Sequence, residues 1–174
     1  MFHNLKKRKI NEVNLYNSIL FFSRNKLLYT QIGLKDTFQN KINLVFIHIS
    51  FIFIKINQKN KISDYKKFYQ KMFDLIFENI ELNMREIGYG DVIVNKNMKY
   101  LVRIFYNILL NCENYKNKTT KLKSLFLLNY LTLDSKKNNR QEACLISYFD
   151  KYCAFCLDLS HDKVLKGSLN FVYK

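Results

Sequence analysis

Residues 44–54 read LVFIHISFIFI and form the most apolar stretch of the chain. A helix that spans a bilayer needs roughly 20 apolar residues, so this stretch is too short to cross a membrane as a helix. A buried core helix over residues 36–55, with Asp36 or Thr37 as its N-cap, is therefore favoured over an interfacial or re-entrant segment. Because many of these residues are β-branched, periodicity alone also leaves a strand open.

The segments before and after this stretch have the periodicity of amphipathic helices. A first helix is predicted over residues 11–29, with Gly33 marking its exit. The clearest helix is predicted over residues 63–87, because apolar side chains recur there at three- and four-residue steps and Gly88 follows as a C-cap. Its predicted apolar stripe consists of Met72 or Phe73, Ile76, Phe77, Ile80, Met84 and Ile87.

Three further helices are predicted towards the C-terminus. One follows the loop of residues 88–91, with Asn95 as its cap, and the next covers residues 120–133. After a polar break at residues 135–139, the last one has Ile146, Phe149, Cys153 and Cys156 on one face, and residues 160–174 are ambiguous. Because the chain has no Pro and only four Gly, a many-turned sandwich or barrel is disfavoured. The sequence therefore predicts an all-α fold, a single compact bundle of about six helices with short loops.

The size and composition suit one folded domain. With 174 residues, of which 48% are hydrophobic and 16% aromatic, the chain can bury roughly two-thirds of its unfolded surface. Residues 6–9 are all basic, and no apolar run follows them, so no cleaved signal is expected. We predict a basic N-terminal extension over residues 1–10 and a helical domain over residues 11–174.

The charge of the chain is strongly positive and unevenly spread. The formal net charge is +15, which points to nucleic acid, an anionic membrane surface or an acidic partner. Because most basic residues are Lys, and Lys, Asn and Ile share AT-rich codons, genomic composition explains part of this excess. Residues 55–71 carry a net charge of +5 and residues 72–91 a net charge of −4. With abundant Tyr and Phe, this charge leaves a basic helical RNA- or ribosome-binding module as the alternative function.

No catalytic or cofactor motif is found in the sequence. The chain lacks a Gly-rich phosphate loop, a GxSxG elbow and an HExxH pair. Cys153 and Cys156 form a CxxC pair late in a predicted helix, on its apolar stripe, which favours buried and unreactive thiols. His48 lies in an apolar stretch, where a neutral core imidazole is favoured over a ligand or catalyst. The sequence therefore predicts a non-enzymatic protein with no catalytic residues, no metal and no cofactor.

A series of short motifs runs through nearly the whole chain. It begins with Leu15 and Tyr16, Tyr29, residues 33–38, and Ile47 with His48, and it continues with Phe73, residues 84–88, Gly90 with Asp91, Val94, Lys96, Met98 with Lys99, Phe105 with Tyr106, residues 164–167 and Phe171. In order and spacing these motifs resemble the ubiquinol-cytochrome c chaperone family, assembly factors of the cytochrome bc1 complex. The chain departs from the family pattern at Lys35, at Asn40 with Lys41, and at Asn107 with Ile108, where the family has Pro, Gly-Arg and Gly-Arg.

The resemblance implies an all-helical chaperone that binds newly made, unassembled cytochrome b and uses no cofactor and no small-molecule substrate. The ribosome, an anionic membrane surface and a small partner subunit are further candidate partners. The expected location is the cytoplasm, peripheral to the inner membrane of a bacterium, or the mitochondrial matrix side if the source is eukaryotic. Residues 6–9 and the lysines of residues 55–71 are expected to provide reversible membrane binding.

Six positions that match the family pattern are the candidate partner-binding residues: Asp36, Thr37, His48, Gly90, Asp91 and Tyr106. Each also has a purely structural explanation. Asp36 and Thr37 can cap a helix, and His48 can be a hydrogen-bonded core residue. Gly90 can form a turn, Asp91 can anchor a loop, and Tyr106 can be half-buried packing.

Overall fold

The computed structural model describes residues 2–57, 62–134, 139–167 and 169–173, with side chains from Asn11 in the first range and from Tyr65 in the second. Within these ranges the chain is helical and has no strand, so the predicted all-α fold is confirmed. The helices are α1 (Phe2–Ser23), α2 (Lys26–Thr30), α3 (Phe38–Asn57), α4 (Ile62–Glu86), α5 (Asp91–Glu113), α6 (Thr120–Tyr130), α7 (Asn139–Asp158) and α8 (His161–Leu165), with a 3-10 turn at Tyr115–Asn117.

Helix α3 is the centre of the bundle, and it contains the apolar stretch of residues 44–54. Every residue from Ile42 to Phe53 is buried, because α1, α4, α5 and α7 pack around this helix. The strand alternative is wrong. A buried strand would need a neighbouring strand to pair its backbone groups, whereas a helix pairs them internally. In the described part of the chain, no helix is both long and apolar enough to cross a membrane.

Helices α4 and α5 form a hairpin against α3. The predicted stripe of α4 is largely confirmed: Met72, Ile76, Phe77, Ile80 and Met84 are all buried. Ile87 is the exception, since it lies beyond the end of the helix and is 62% exposed. Gly88 follows with a positive φ of 99°, as expected of a residue that ends a helix.

The fourth predicted helix begins earlier than its sequence suggests. We expected Asn95 to be the cap, but α5 begins at Asp91 with Gly90 as its N-cap. Two effects favour the earlier start. The carboxylate of Asp91 in the first turn complements the helix dipole, and the extra turn brings Val94 into the core, where it is fully buried.

The first predicted helix is divided in two. Helix α1 starts at Phe2 and ends at Ser23, and the short helix α2 begins after Asn25. The side chain of Asn25 accepts a hydrogen bond from the backbone N–H of Leu27, at 3.0 Å, and so caps α2. This local bond competes with continuation of the longer helix. The proposed boundary between residues 10 and 11 stays a prediction.

Two buried asparagines of α3 shape the loop that follows α6. Asn40 donates to the carbonyls of Lys35 and Thr132, both at 2.8 Å, and accepts from the backbone N–H of Thr132 at 2.9 Å. Asn43 donates to the carbonyl of Tyr130 at 2.6 Å. Because these bonds hold the chain extended after Tyr130, α6 ends there and not at residue 133 as we predicted.

The C-terminal segment closes over α1 and α7. Gly167 has a φ of 71°, and its backbone lies directly against α1. The ring of Phe171 then packs on Tyr152 of α7 and on Phe22 of α1, with ring centroids 5.0 Å and 5.8 Å away. The tail, which was ambiguous in the sequence, is thus part of the same core as the helices.

Candidate functional site

Asp36 and Thr37 lie at the start of α3. The hydroxyl of Thr37 accepts a hydrogen bond from the backbone N–H of Asn40, at 3.2 Å, so Thr37 acts as the helix cap. Asp36 is exposed and forms an ion pair with Lys41 at 2.5 Å. Both side chains therefore stabilise the first turn of the central helix, and both remain accessible to a partner.

Gly90 and Asp91 lie at the start of α5, in the connection from α4. Nothing lies within 4 Å of the position where a Gly90 Cβ would be, so no neighbour requires a glycine there. Asp91 is exposed and pairs with Arg85 at the end of α4, and Arg85 also contacts Glu81 at 2.8 Å. The two ion pairs hold the α4–α5 loop in place.

Tyr106 lies halfway along α5 and is 44% exposed. Its ring is nearly parallel to that of Phe73 on α4, with centroids 6.1 Å apart. Phe73 in turn lies 4.3 Å from Phe77, so Tyr106 is the outermost ring of an aromatic row between α4 and α5. One edge of Tyr106 is therefore packed and the other faces solvent.

His48 is completely buried in the core. Its Nδ1 lies 2.6 Å from the carbonyl of Leu44, and its Nε2 lies 2.9 Å from the hydroxyl of Tyr148. Since a carbonyl can only accept, Nδ1 carries the proton and Nε2 accepts from Tyr148. Burial lowers the pKa of His48 from 6.5 to about 4, so the ring is neutral at physiological pH. This geometry agrees with the core explanation, and a partner-binding role of His48 stays a prediction.

The six candidate residues do not form one cluster. In the described residues, no hydrogen bond, ion pair or ring contact joins the start of α3, the start of α5, Tyr106 and His48 to one another. Four of the six nevertheless lie within a few residues, along the chain, of side chains that line one groove. Asp36 and Thr37 fix the beginning of α3, and Gly90 and Asp91 follow the end of α4. These two helix ends border the same groove.

This groove lies between α1, α3 and α4, and we call it the α1/α3/α4 groove. It encloses about 190 Å³ and is lined mainly by apolar and aromatic side chains: Tyr16, Leu20, Phe38, Ile42, Val45, Ile80 and Ile87. Phe38 and Ile87 are 39% and 62% exposed, so both side chains are open to solvent beside the groove. They are the residues that an apolar partner would meet first.

Two cations give the groove its polar character. Arg24 and Lys41 line it together with Ser23 and Asn83. Lys41 is partly neutralised by Asp36, whereas Arg24 has no ion pair with any described residue. Burial raises the pKa of the Tyr16 hydroxyl, although Arg24 opposes this effect, so Tyr16 stays a neutral donor. The groove can therefore accept an apolar side chain next to an anionic or hydrogen-bonding group.

Two other clefts are larger but differ in their chemistry. One, of about 430 Å³, lies beside Tyr115 and Asp150, and two of its charged groups already pair, with Lys123 2.8 Å from Asp150. The other, of about 660 Å³, runs along α6 and combines exposed Leu122 and Leu125 with the acidic Asp134 and Glu142. Neither is bordered by the family-matched positions at the starts of α3 and α5.

Three of the four cysteines are buried, among them the CxxC pair, as the sequence predicts, and Cys144 is partly exposed. Cys153 and Cys156 are 7% and 1% exposed, and burial raises the pKa of both thiols. Burial also raises the pKa of Cys112. Among the described residues, no three His, Cys, Asp or Glu side chains are close enough together to hold a metal ion.

Three groove residues were missed in the sequence. Ile87 was assigned to the core stripe of α4, because its spacing continues the pattern of Ile80 and Met84. The following Gly88 was the available signal, since a helix that ends there leaves Ile87 in the loop. Phe38 was treated only as part of a family motif. Arg24 carries no sequence signal, because only the packing of α1 against α3 brings it to the groove.

The chain is similar to a protein family and to a solved structure. Residues 30–171, most of the chain, match the family model described as ubiquinol-cytochrome C chaperone. The fold is similar to the crystal structure of the Cbp3 homolog from Brucella abortus, with a TM-score of 0.82 at 20% identity, over 98% of this chain and 93% of that chain. No curated protein matches the sequence. The family match spans α3 to α8, and with it the start of α3 and the loop before α5, so this chain belongs to the ubiquinol-cytochrome c chaperone family.

Proposed function

We propose that this protein is an assembly chaperone of the cytochrome bc1 complex that holds newly made cytochrome b through the α1/α3/α4 groove. Membership of the chaperone family supports the assembly role. The observation that supports this surface is the apolar groove itself, which is open to solvent at Phe38 and Ile87 and lined by the unpaired Arg24. Neither the family nor the similar fold supports the RNA-binding alternative.

The size of the groove favours a protein client over a small molecule. Small-molecule pockets usually enclose about 300–1,000 Å³, whereas this groove encloses about 190 Å³. It can receive one or two apolar side chains from a helix end or loop, and Arg24 can pair with a neighbouring carboxylate or carbonyl. Cytochrome b spans the membrane several times, and its unassembled helices carry surfaces that are costly to leave unpaired.

Holding such a client requires binding but no catalysis. A chaperone that binds the unassembled subunit better than the assembled one releases it when its partners arrive. Differential affinity between the two states is sufficient, so no nucleotide or redox step enters the proposal. The client is a membrane protein, and the chaperone therefore acts next to the membrane surface. A small partner subunit and the ribosome are further partners that the same capture experiment can detect.

The test removes the exposed apolar side chains at the mouth of the groove. A strain lacking the gene is complemented with the Phe38→Ser, Ile87→Ser double variant, and cytochrome b and c1 are measured by their absorbance in membranes. We expect both absorbances to fall, and tagged protein to capture less cytochrome b. The matched control is Leu122→Ser, Leu125→Ser on α6, which removes two side chains that are 51% and 59% exposed.

Three results would contradict the proposal. The first is normal cytochrome b and c1 in the strain that lacks the gene. The second is loss of assembly in the α6 control with normal assembly in the groove variant, which would move the client to the cleft along α6. The third is capture of RNA without cytochrome b, which would favour the RNA-binding alternative.

A further inference from the structure

One side of α5 is exposed along its length, although the ring of Tyr106 on this side packs on Phe73 of α4. Its apolar and aromatic side chains are Val92, Tyr100, Tyr106 and Leu110, which are 83%, 48%, 44% and 63% exposed. Its charged side chains are Lys96, Lys99 and Arg103, all exposed. We call these seven residues the α5 outer face.

Helix geometry places the seven residues on one side. At 3.6 residues per turn, they all fall within a sector of about 120° around the helix axis, and from Val92 to Leu110 they extend over about 27 Å. The two carboxylates of α5, Asp91 and Glu113, lie at its two ends and outside this sector. Asp91 is moreover paired with Arg85. The α5 outer face therefore carries three positive charges and no negative charge of its own helix.

We propose that the α5 outer face is a membrane-binding surface for anionic lipid. Charge complementarity is the first argument, because each Lys or Arg near an anionic bilayer strengthens binding by about fivefold. The second is the mixture of side chains. Tyr is common at the level of the lipid headgroups, and exposed Leu and Val side chains can enter the acyl region just below them.

The arrangement of the charges distinguishes a membrane from a protein partner. The centre of a protein–protein interface is depleted of Lys, Glu and Asp, whereas Arg is enriched there. On the α5 outer face, Lys96 and Lys99 lie between Val92 at one end and Leu110 at the other. Such interleaving suits a bilayer, because long basic side chains can extend to the phosphates while their neighbours insert. The face also lies on a single convex helix and forms no groove that could enclose a client segment.

Two lysines of the basic segments expected to bind the membrane already have partners within the fold. Lys55 donates to the carbonyl of Leu157 at the end of α7, and Lys71 pairs with Glu12 of α1 at 3.1 Å. Lys66 and Lys67 are exposed, and the side chains of residues 6–9 and 58–61 lie outside the described part of the chain. The inference goes beyond the chaperone role and does not depend on the α1/α3/α4 groove.

The first test uses a single tryptophan as a reporter of insertion. The chain has no Trp, so Leu110→Trp places one on the α5 outer face and Leu125→Trp places one on α6 as a matched exposed control. With vesicles of phosphatidylcholine and phosphatidylglycerol, we expect the emission of Leu110→Trp to shift to shorter wavelength and that of Leu125→Trp to stay unchanged. With phosphatidylcholine alone, neither should shift. An equal shift in both variants, or none at position 110, overturns the proposal.

The second test separates this face from the overall positive charge. The Lys99→Glu, Arg103→Glu variant should lose at least about tenfold in its partition onto the anionic vesicles. The control Lys163→Glu, Lys166→Glu changes the net charge equally at two exposed lysines, one on α8 and one directly after it, and should lose much less. Equal losses in both variants overturn the proposal. If the α5 variant keeps vesicle binding and loses cytochrome b, the face binds protein and the membrane assignment is wrong.

The same vesicles distinguish failure of this inference from failure of the proposed function. The groove variant Phe38→Ser, Ile87→Ser should bind anionic vesicles as well as the unmodified protein does. If it does so and still supports normal assembly, the groove proposal is wrong and the membrane proposal stands.

Discussion

At the scale of single residues, His48 shows how a polar side chain is accommodated in an aromatic core. Both ring nitrogens have partners, and the ring of Tyr152 lies 4.5 Å away in an edge-on arrangement. The hydroxyl of Tyr152 also donates to the carbonyl of His48 at 3.2 Å. The sequence predicts a neutral, hydrogen-bonded core histidine, because His48 and Ser50 are the only polar residues in the apolar stretch of residues 44–54. It could not predict the partners, since Tyr148 and Tyr152 lie about a hundred residues away.

The buried His48 makes stability depend on pH. Its pKa is about 4 in the folded protein, whereas the unfolded chain has the ordinary value of 6.5. The unfolded state therefore binds the proton more readily, so the contribution of this residue is complete above pH 6.5. It is lost progressively as the pH falls towards 4, by up to about 3 kcal/mol. Urea unfolding of the protein and of His48→Phe at pH 7.5 and pH 4.5 measures this effect.

The His48→Phe variant should be less stable at pH 7.5 by about 1–3 kcal/mol, because the Tyr148 hydroxyl loses its acceptor. Its stability should then fall less between pH 7.5 and pH 4.5 than that of the unmodified protein. Carboxylates titrate in both proteins and cancel in the comparison. An identical pH dependence of stability in the two proteins would show that folding does not lower the pKa of His48. If His48→Phe folds but fails in complex assembly, a role beyond packing is required.

Gly167 is the glycine whose replacement should matter most. A Cβ at this position would lie 2.3 Å from the carbonyl oxygen of Asn11 and 2.8 Å from the backbone nitrogen of Leu15, and φ is 71°. We expect Gly167→Ala to destabilise the protein by at least about 2 kcal/mol, since backbone atoms cannot move aside easily. Gly90→Ala is the control, because the position is open, and it should change stability by less than about 1 kcal/mol. If Gly167→Ala and Gly90→Ala lower the thermal unfolding temperature by similar amounts, this account is contradicted.

At the scale of helices, the sequence predicted which segments are helical better than it predicted where each helix ends. The stripe of α4 could be predicted because Met72, Ile76, Ile80 and Met84 all face one core, so a single period accounts for them. Helix ends depend instead on bonds between distant segments. Helix α6 ends at Tyr130 because Asn43 donates a hydrogen bond to the carbonyl of that residue. The two residues are 87 positions apart, so no local sequence pattern indicates this contact.

The same reasoning explains what could be predicted of the candidate groove. The ends of α3 and α4 carry short local signals, a capping Thr37 and a terminal Gly88, and the sequence predicts both. Their position beside α1 is a result of tertiary packing, as is the exposure of Ile87. The family motifs thus contain three residues that line the groove, Tyr16, Phe38 and Ile87, but that these residues lie together could be seen only in the structure.

Asn40 joins the loop before α3 to the loop after α6, so its replacement should destabilise both loops. Replacing it by Ala removes bonds to the carbonyls of Lys35 and Thr132 and to one backbone N–H. We expect Asn40→Ala to lower the free energy of unfolding by about 2 kcal/mol, because these groups lose a buried partner. In Asn111→Ala only one exposed bond, to the carbonyl of Asn107, is lost. That control should change stability by less than about 0.5 kcal/mol in urea unfolding.

At the scale of the whole molecule, the two proposed surfaces use different helices of one bundle. The α1/α3/α4 groove is apolar with one unpaired cation, whereas the α5 outer face is convex and basic. Helix α3 contacts α1, α4 and α5, so a single rigid core supports both surfaces. A chaperone that binds lipid through α5 can keep its groove free for a client emerging in the same membrane.

The division of the chain at residue 10 can be tested on the whole molecule. The predicted boundary implies that residues 1–10 add little to the core, whose described side chains in α1 begin with Leu15. We expect the truncated protein to unfold in urea in one transition, with a midpoint close to that of the full chain. Ile19→Ala is the comparison, since this fully buried side chain should contribute about 2–5 kcal/mol. A truncated protein as unstable as Ile19→Ala would show that residues 1–10 belong to the folded domain.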